Sequence, residues 1–235
     1  MIGTWVNVGT VLLGSTIGLL AGRRIPTRLT GFFTTAIGLV TIVLGVKLAL
    51  ETQNVLVLLL ALIIGGGIGT ALSLEDRLTH LGEAIERRFP SLAHGTLPQG
   101  FVTASLLFCV GPLSLIGALR DGLYGDWQLL GIKSVMDGIS SVILVAGLGP
   151  GVFFSVLVIL VYQGGISLAA RFFAGAGATI SSASPPLAEL DAAGGVILLA
   201  LAFKLLNLRD LKAGNLLPAL AFAPALAVLF RLFGS

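Results

Sequence analysis

Runs of about twenty mostly apolar residues, the length that crosses a hydrocarbon core of about 30 Å at helical rise, recur eight times along the chain. They run from Trp5 to Ala21, Gly31 to Leu50, Val55 to Leu72, Phe101 to Leu119, Leu129 to Leu148, Val152 to Ala170, Ala192 to Leu206 and Leu216 to Leu232. Inside lipid a backbone must satisfy its own N–H and C=O groups, so spans of this length fold as helices. The expected fold class is an all-α integral membrane protein with about eight transmembrane helices. Composition agrees: 56% of residues are hydrophobic and 11% charged, where soluble domains carry about 25% charged residues. A soluble enzyme domain, a disordered chain and a disulfide scaffold are excluded. The single cysteine, Cys109, allows no internal disulfide or cysteine-based metal site and reads as a small packing residue.

The few charges set an orientation. Arg23, Arg24 and Arg28 follow the first run, Arg77, Arg87 and Arg88 the third, and Arg209 and Lys212 the seventh. With alternating crossings all of these loops fall on one side, which the positive-inside rule makes cytoplasmic. Arg120, Arg171 and Arg231 fall on the other side, together with Glu51, Asp121, Asp126, Glu189 and Asp191. The chain is therefore expected to be a multi-pass plasma-membrane protein with both termini outside the cytoplasm. No Lys or Arg precedes the first run, the reverse of a cleaved signal peptide, so that run is expected to persist. The net charge of +3 serves topology and implies no nucleic-acid partner.

The one long cytoplasmic connection, Ser73 to Gln99, places Leu74, Leu78, Leu81 and Ile85 at helical spacing among charged residues, which predicts an interfacial amphipathic helix. His80 and His94 lie here with no ligand set around them and receive no role. The connection Gly175 to Pro186, rich in Ala, Gly, Ser and Pro, reads as a flexible outer loop.

The chain repeats itself weakly. Ile17, Leu19 and Ala21 recur as Ile166, Leu168 and Ala170; Ala36, Gly38, Leu44, Lys47 and Leu48 align without a gap on Ala193, Gly195, Leu201, Lys204 and Leu205. Asn54 corresponds to Asn215 after a short gap. Spans one to three then match spans six to eight across an odd offset, the arrangement of an inverted repeat. The whole chain reads as a single transmembrane domain: a first repeat over about 1–72, the amphipathic helix over about 73–99, central spans over about 100–149 and a second repeat over about 150–235.

Charges left inside spans are expensive and are functional candidates by default. Lys133 and Asp137 are four apart on span five and can pair, with Ser140 and Ser141 extending the polar patch; the pair is either a site or a staple between helices. Lys47 and Lys204, near span ends, either snorkel to headgroups or gate opposite entrances. Asn7, Gln163 and Asn215 are able to coordinate a small cation or a solute, or to bridge helices. Gly111-Pro112 is the strongest candidate for a helix break, because proline removes a backbone donor and frees a carbonyl; Gly65-Gly66-Gly67 reads as a close-packing face.

The segments GTWVNVGTVLLGSTIGLLAG, GLVTIVLGVKLAL, KSVMDGISS and NLLPAL resemble the bacterial membrane family known as the domain of unknown function 554, over essentially the whole chain. The resemblance implies a multi-spanning, transporter-like inner-membrane protein with no agreed substrate.

No serine elbow, paired-histidine motif, phosphate loop or dinucleotide fingerprint occurs, so no enzyme activity, cofactor or metal is expected. The leading expectation is a secondary transporter for a small anionic or zwitterionic solute, coupled to H+ or Na+, the anion being favoured by lysine outnumbering acid within the spans. An ion channel or pore and a non-transporting structural or regulatory membrane protein are the alternatives. The expected partners are the lipid bilayer and the solute. Small-residue faces (Gly9, Gly14, Gly18; Gly65, Gly69) leave a homo-oligomer open.

Overall fold

The computed structural model describes residues 1–22, 27–90, 97–110, 112–172 and 185–233. Among them every regular element is helical: α1 (Ile2–Gly22), α2 (Thr27–Ala49), α3 (Val55–Ala71), α4 (Leu74–Arg88), α5 (Leu97–Cys109), α6 (Pro112–Tyr124), α7 (Gln128–Leu148), α8 (Gly151–Phe154), α9 (Val156–Ile159), α10 (Gly165–Phe172), α11 (Pro185–Leu205) and α12 (Ala219–Phe233). A π-helical turn, Leu160–Gly164, joins α9 to α10, and a 3-10 turn, Ala213–Leu216, precedes α12. Arg23, Arg24, His94, Gly111 and most of the loop Gly175 to Pro186 lie outside the described residues.

Hydropathy places most spans well, but two differ from expectation. The fourth apolar run is two helices, α5 and α6, meeting at 62° on either side of the Gly111-Pro112 step. The seventh does not start at Ala192. Its helix starts at Pro185, and Glu189 and Asp191, read from sequence as outer-loop residues, lie within α11 and are buried. Their polarity made the span look short, whereas burial and hydrogen bonding of the Glu189 carboxylate lets the helix carry it.

The chain forms two compact units. Unit 1 comprises Met1–Thr34 and Thr79–Ile180, and unit 2 comprises Thr35–Leu78 and Ser181–Ser235. In unit 1, α1 and α7 run parallel in contact along their length, because glycines remove the side chains that would hold them apart. A methyl group on Gly14 would sit 2.1 Å from the Gly138 carbonyl oxygen, and one on Gly18 2.7 Å from that of Val142. The π turn and α10 run parallel to α6, with Ser167 Oγ donating to the Ala118 carbonyl at 2.9 Å.

In unit 2, α2 lies antiparallel to α11 through Gly45 and Gly195, and α3 antiparallel to α12 through Gly65 and Gly69. Those small-residue faces are consumed within the chain, and Gly9 faces open space. The two hairpin turns of this unit are each gripped by a buried glutamate. Asn54 caps α3 by accepting from the N–H groups of Leu56 and Val57. Glu189, 1% exposed, accepts from Thr52 Oγ1 at 2.8 Å and from the backbone N–H groups of Gln53 and Asn54 at 2.7 Å each. Glu75 holds the other turn, accepting from the Gly214 N–H at 2.8 Å and from Lys204, while its own N–H donates to Asn215 Oδ1 at 2.9 Å. Glu189→Ala removes the acceptor of three hydrogen bonds, and the loss of one that reaches a charged group costs about 1.5–3 kcal/mol. The variant is expected to melt well below the wild type in detergent, and an unchanged melting temperature would remove Glu189 as the clamp.

Candidate functional site

Helix periodicity puts Lys133 and Asp137 one turn apart on the buried face of α7, 6% and 8% exposed, and they form an ion pair between Lys133 Nζ and Asp137 Oδ2. Asp137 is the tenth of the 21 residues of α7, about 14 Å from its start at 1.5 Å per residue. The Lys133 ammonium also lies 6.0 Å from the centroid of the Phe108 ring near the end of α5.

Three other elements converge on this pair. Asn7 of α1 donates from Nδ2 to Asp137 Oδ2 at 3.0 Å and to Gln163 Oε1 at 3.1 Å. Gln163, in the π turn, donates from Nε2 to Ser114 Oγ at 2.9 Å, and Ser114 lies in the first turn of α6, just past the Gly111-Pro112 step. Asn7, Gln163 and Ser114 are all fully buried. The extra residue of a π turn shifts side-chain direction and occurs often at functional sites, and here it carries the glutamine.

The polarity of this chain is dictated by its ends. A carboxylate only accepts, so Asn7 must present its amide nitrogen to Asp137; that same nitrogen meets Gln163 Oε1, leaving Asn7 Oδ1 turned away without a partner. Thr4 Oγ1, one turn earlier on α1, is likewise buried and unpartnered. Both bonds to Asp137 fall on Oδ2, which leaves Oδ1 available as an acceptor. A charge-balanced ammonium–carboxylate pair thus sits beside orphaned acceptors, amid a bent helix pair and a π turn.

The family model described as a protein of unknown function, DUF554, matches residues 2–228. The chain belongs to the DUF554 family. The uncharacterized membrane protein YdfK of Bacillus subtilis (strain 168) is 29% identical over 238 residues, which is 100% of this chain and 99% of that protein. The uncharacterized protein YqgA of Escherichia coli (strain K12) is 29% identical over 233 residues, 97% of this chain and 96% of its own. No solved structure matches. With six helices among the described residues long and apolar enough to cross a membrane, and up to eight when each bent pair counts as one span, this DUF554 chain is a multi-pass membrane protein.

Of the candidate residues, the structure brings together Lys133, Asp137, Asn7 and Gln163. Ser141 lies one turn further along α7, buried, where its hydroxyl bonds the Gly138 carbonyl at 2.7 Å and faces α1; Ser140 is half-buried outside the network. Pro112 opens α6 beside it. Asn215, Lys204 and Lys47 belong to unit 2. The recurrence of Lys47 and Lys204 does not make a matched buried pair: Lys47 is exposed, whereas Lys204 is ion-paired with Glu75 and, at 3.1 Å, with Asp210. Partial burial opposes ionisation of Asp210, but the Lys212 N–H and the ammonium groups of Lys204 and Lys212 outweigh it and hold the carboxyl below its usual range. The inferred excess of buried lysine therefore disappears, because Lys133 and Lys204 are each neutralised by an acid. Ser114, Thr4 and Phe108 were missed; the only sequence signal was the position of Ser114 just past the proline.

Proposed function

We propose that this protein is a secondary transporter for a small zwitterionic solute, with the Lys133–Asp137 pair at the centre of its site. The observation that carries the reading is the buried network of Lys133, Asp137, Asn7, Gln163 and Ser114, drawn from α7, α1, the π turn and α6. A fully paired dipole favours a ligand of zero net charge over an anion. A carboxylate engages Lys133, and an ammonium group engages Asp137 Oδ1, so the solute replaces one internal pair by two. The exchange leaves the net charge of the buried site unchanged, which avoids the penalty of an unpaired ion in the membrane. Coupling to H+ or Na+ falls to Asp137, the one acid of the network. The antiparallel packing of α2 on α11 and of α3 on α12 supports an inverted repeat, and the distribution of arginines supports external termini.

The test is uptake of labelled amino acids and betaines into proteoliposomes under imposed proton or sodium gradients. Saturable, gradient-dependent uptake is expected for wild type and is expected to be lost in Asp137→Asn, compared at equal amounts of folded protein. Single-channel current steps without dependence on a coupling ion would assign a pore instead. No flux dependent on Asp137 for any zwitterion would remove the reading.

A further inference from the structure

Helix α4 is divided into three sectors rather than two. At about 100° per residue, Leu74, Leu78, Leu81 and Ile85 share one strip, Glu75, Asp76, Glu83 and Glu86 a second, and Arg77, His80, Arg87 and Arg88 a third. The basic strip is exposed throughout, and Leu81 at its edge is 45% exposed. The acids nearest its start are already committed, Glu75 to Lys204 and Gly214, and Asp76 to Lys212 at 3.0 Å. Among the described residues Arg77, Arg87 and Arg88 make no ion pair.

Position says what covers this strip. Helix α3 ends at Ala71 and α4 begins at Leu74, turned by 48°, so the charged α4 follows directly on an apolar helix. The Asp76–Lys212 pair ties the 206–212 loop to the first turn of α4, and that loop exposes Leu208 (65%) and Leu211 (42%) on either side of Arg209. An acidic protein surface would match the charge but not the exposed Leu81 beside it, whereas the headgroup–acyl boundary satisfies both. Guanidinium groups bind phosphate oxygens in a fixed fork.

We propose that the basic strip of α4 is a binding surface for anionic phospholipid headgroups, with the arginines on the phosphates and the exposed Leu81 in the acyl boundary. The proposal does not depend on the transport reading.

The test uses the full chain in uncharged detergent, with phosphatidylglycerol or phosphatidylcholine binding measured by native mass spectrometry. Phosphatidylglycerol is expected to bind in preference, and the preference to shrink as salt is raised. The triple variant Arg77→Gln, Arg87→Gln, Arg88→Gln is expected to bind phosphatidylglycerol about 100-fold more weakly, about fivefold for each arginine. The corresponding Arg→Lys triple is expected to keep most of the affinity, and Arg231→Gln, near the end of α12, all of it. Should the glutamine triple fail to fold, the three single Arg→Gln variants carry the same expected loss per residue. Equal affinity for the two lipids, wild-type phosphatidylglycerol binding by folded Arg→Gln variants, or equally tight binding of free glycerol 3-phosphate would each overturn it.

Discussion

Asp137→Ala is expected to cost about 3–5 kcal/mol of stability, because it strands the Lys133 ammonium in a buried setting and removes an acceptor from Asn7. The measurement is thermal melting of the purified protein in detergent. The informative companion is Lys133→Met/Asp137→Leu, which replaces both charges by apolar groups of similar size. Such a replacement is often neutral or stabilising, by up to about 4 kcal/mol. The double variant should therefore melt near or above the wild type. A staple and a site part company at this point. If the pair only holds helices together, the double variant keeps uptake; if the pair binds solute, it is stable and inactive. A stable double variant with wild-type uptake would reduce Lys133 and Asp137 to structure.

The second large effect concerns how α1 is held against α7. In Gly14→Ala the added methyl would lie 2.1 Å from the Gly138 carbonyl oxygen and 2.2 Å from Ser141 Oγ, so α1 must move off α7. Overpacking of this kind costs about 1–3 kcal/mol. The shift also acts on function, since Asn7 rides on α1 and reaches Asp137 of α7 at 3.0 Å. Uptake should fall with stability in Gly14→Ala, and Gly14→Leu should fail to fold. Gly9, on the same helix, has nothing within 4 Å of an added methyl. Gly9→Ala is expected to stay within about 0.5 kcal/mol of wild type with full uptake. Equal behaviour of Gly9→Ala and Gly14→Ala in melting and in uptake would refute the close α1–α7 contact.

The two units differ in how legible they were. The ion pair of α7 was visible as Lys133 and Asp137 four apart in an apolar run, because a helix converts that spacing into contact. The α5–α6 break was visible in Pro112, which removes a backbone donor wherever it sits. Glu189 was misplaced because hydropathy counts a carboxylate as a loop residue, and the Gln53 and Asn54 N–H groups that accommodate it lie 136 and 135 residues away. The π turn left no mark in the sequence, since its extra residue is accommodated by packing against neighbours.

The sequence by itself determined that this chain crosses a membrane many times as helices, where most of those helices begin and end, and which α7 residues pair. Those features follow from transfer free energy and helical periodicity, both properties of short stretches of chain. Only the tertiary structure decided that Asn7, Gln163 and Ser114 meet Asp137, and that Lys47 and Lys204 do not. Asn7 is 130 residues from Asp137 and 156 from Gln163, and contacts across such distances depend on which helix faces carry glycine and which can approach. Apolar helices in lipid gain little from burying one apolar face rather than another, so small-residue fit and polar pairing choose the partners. That choice is made between helices, where no local pattern records it.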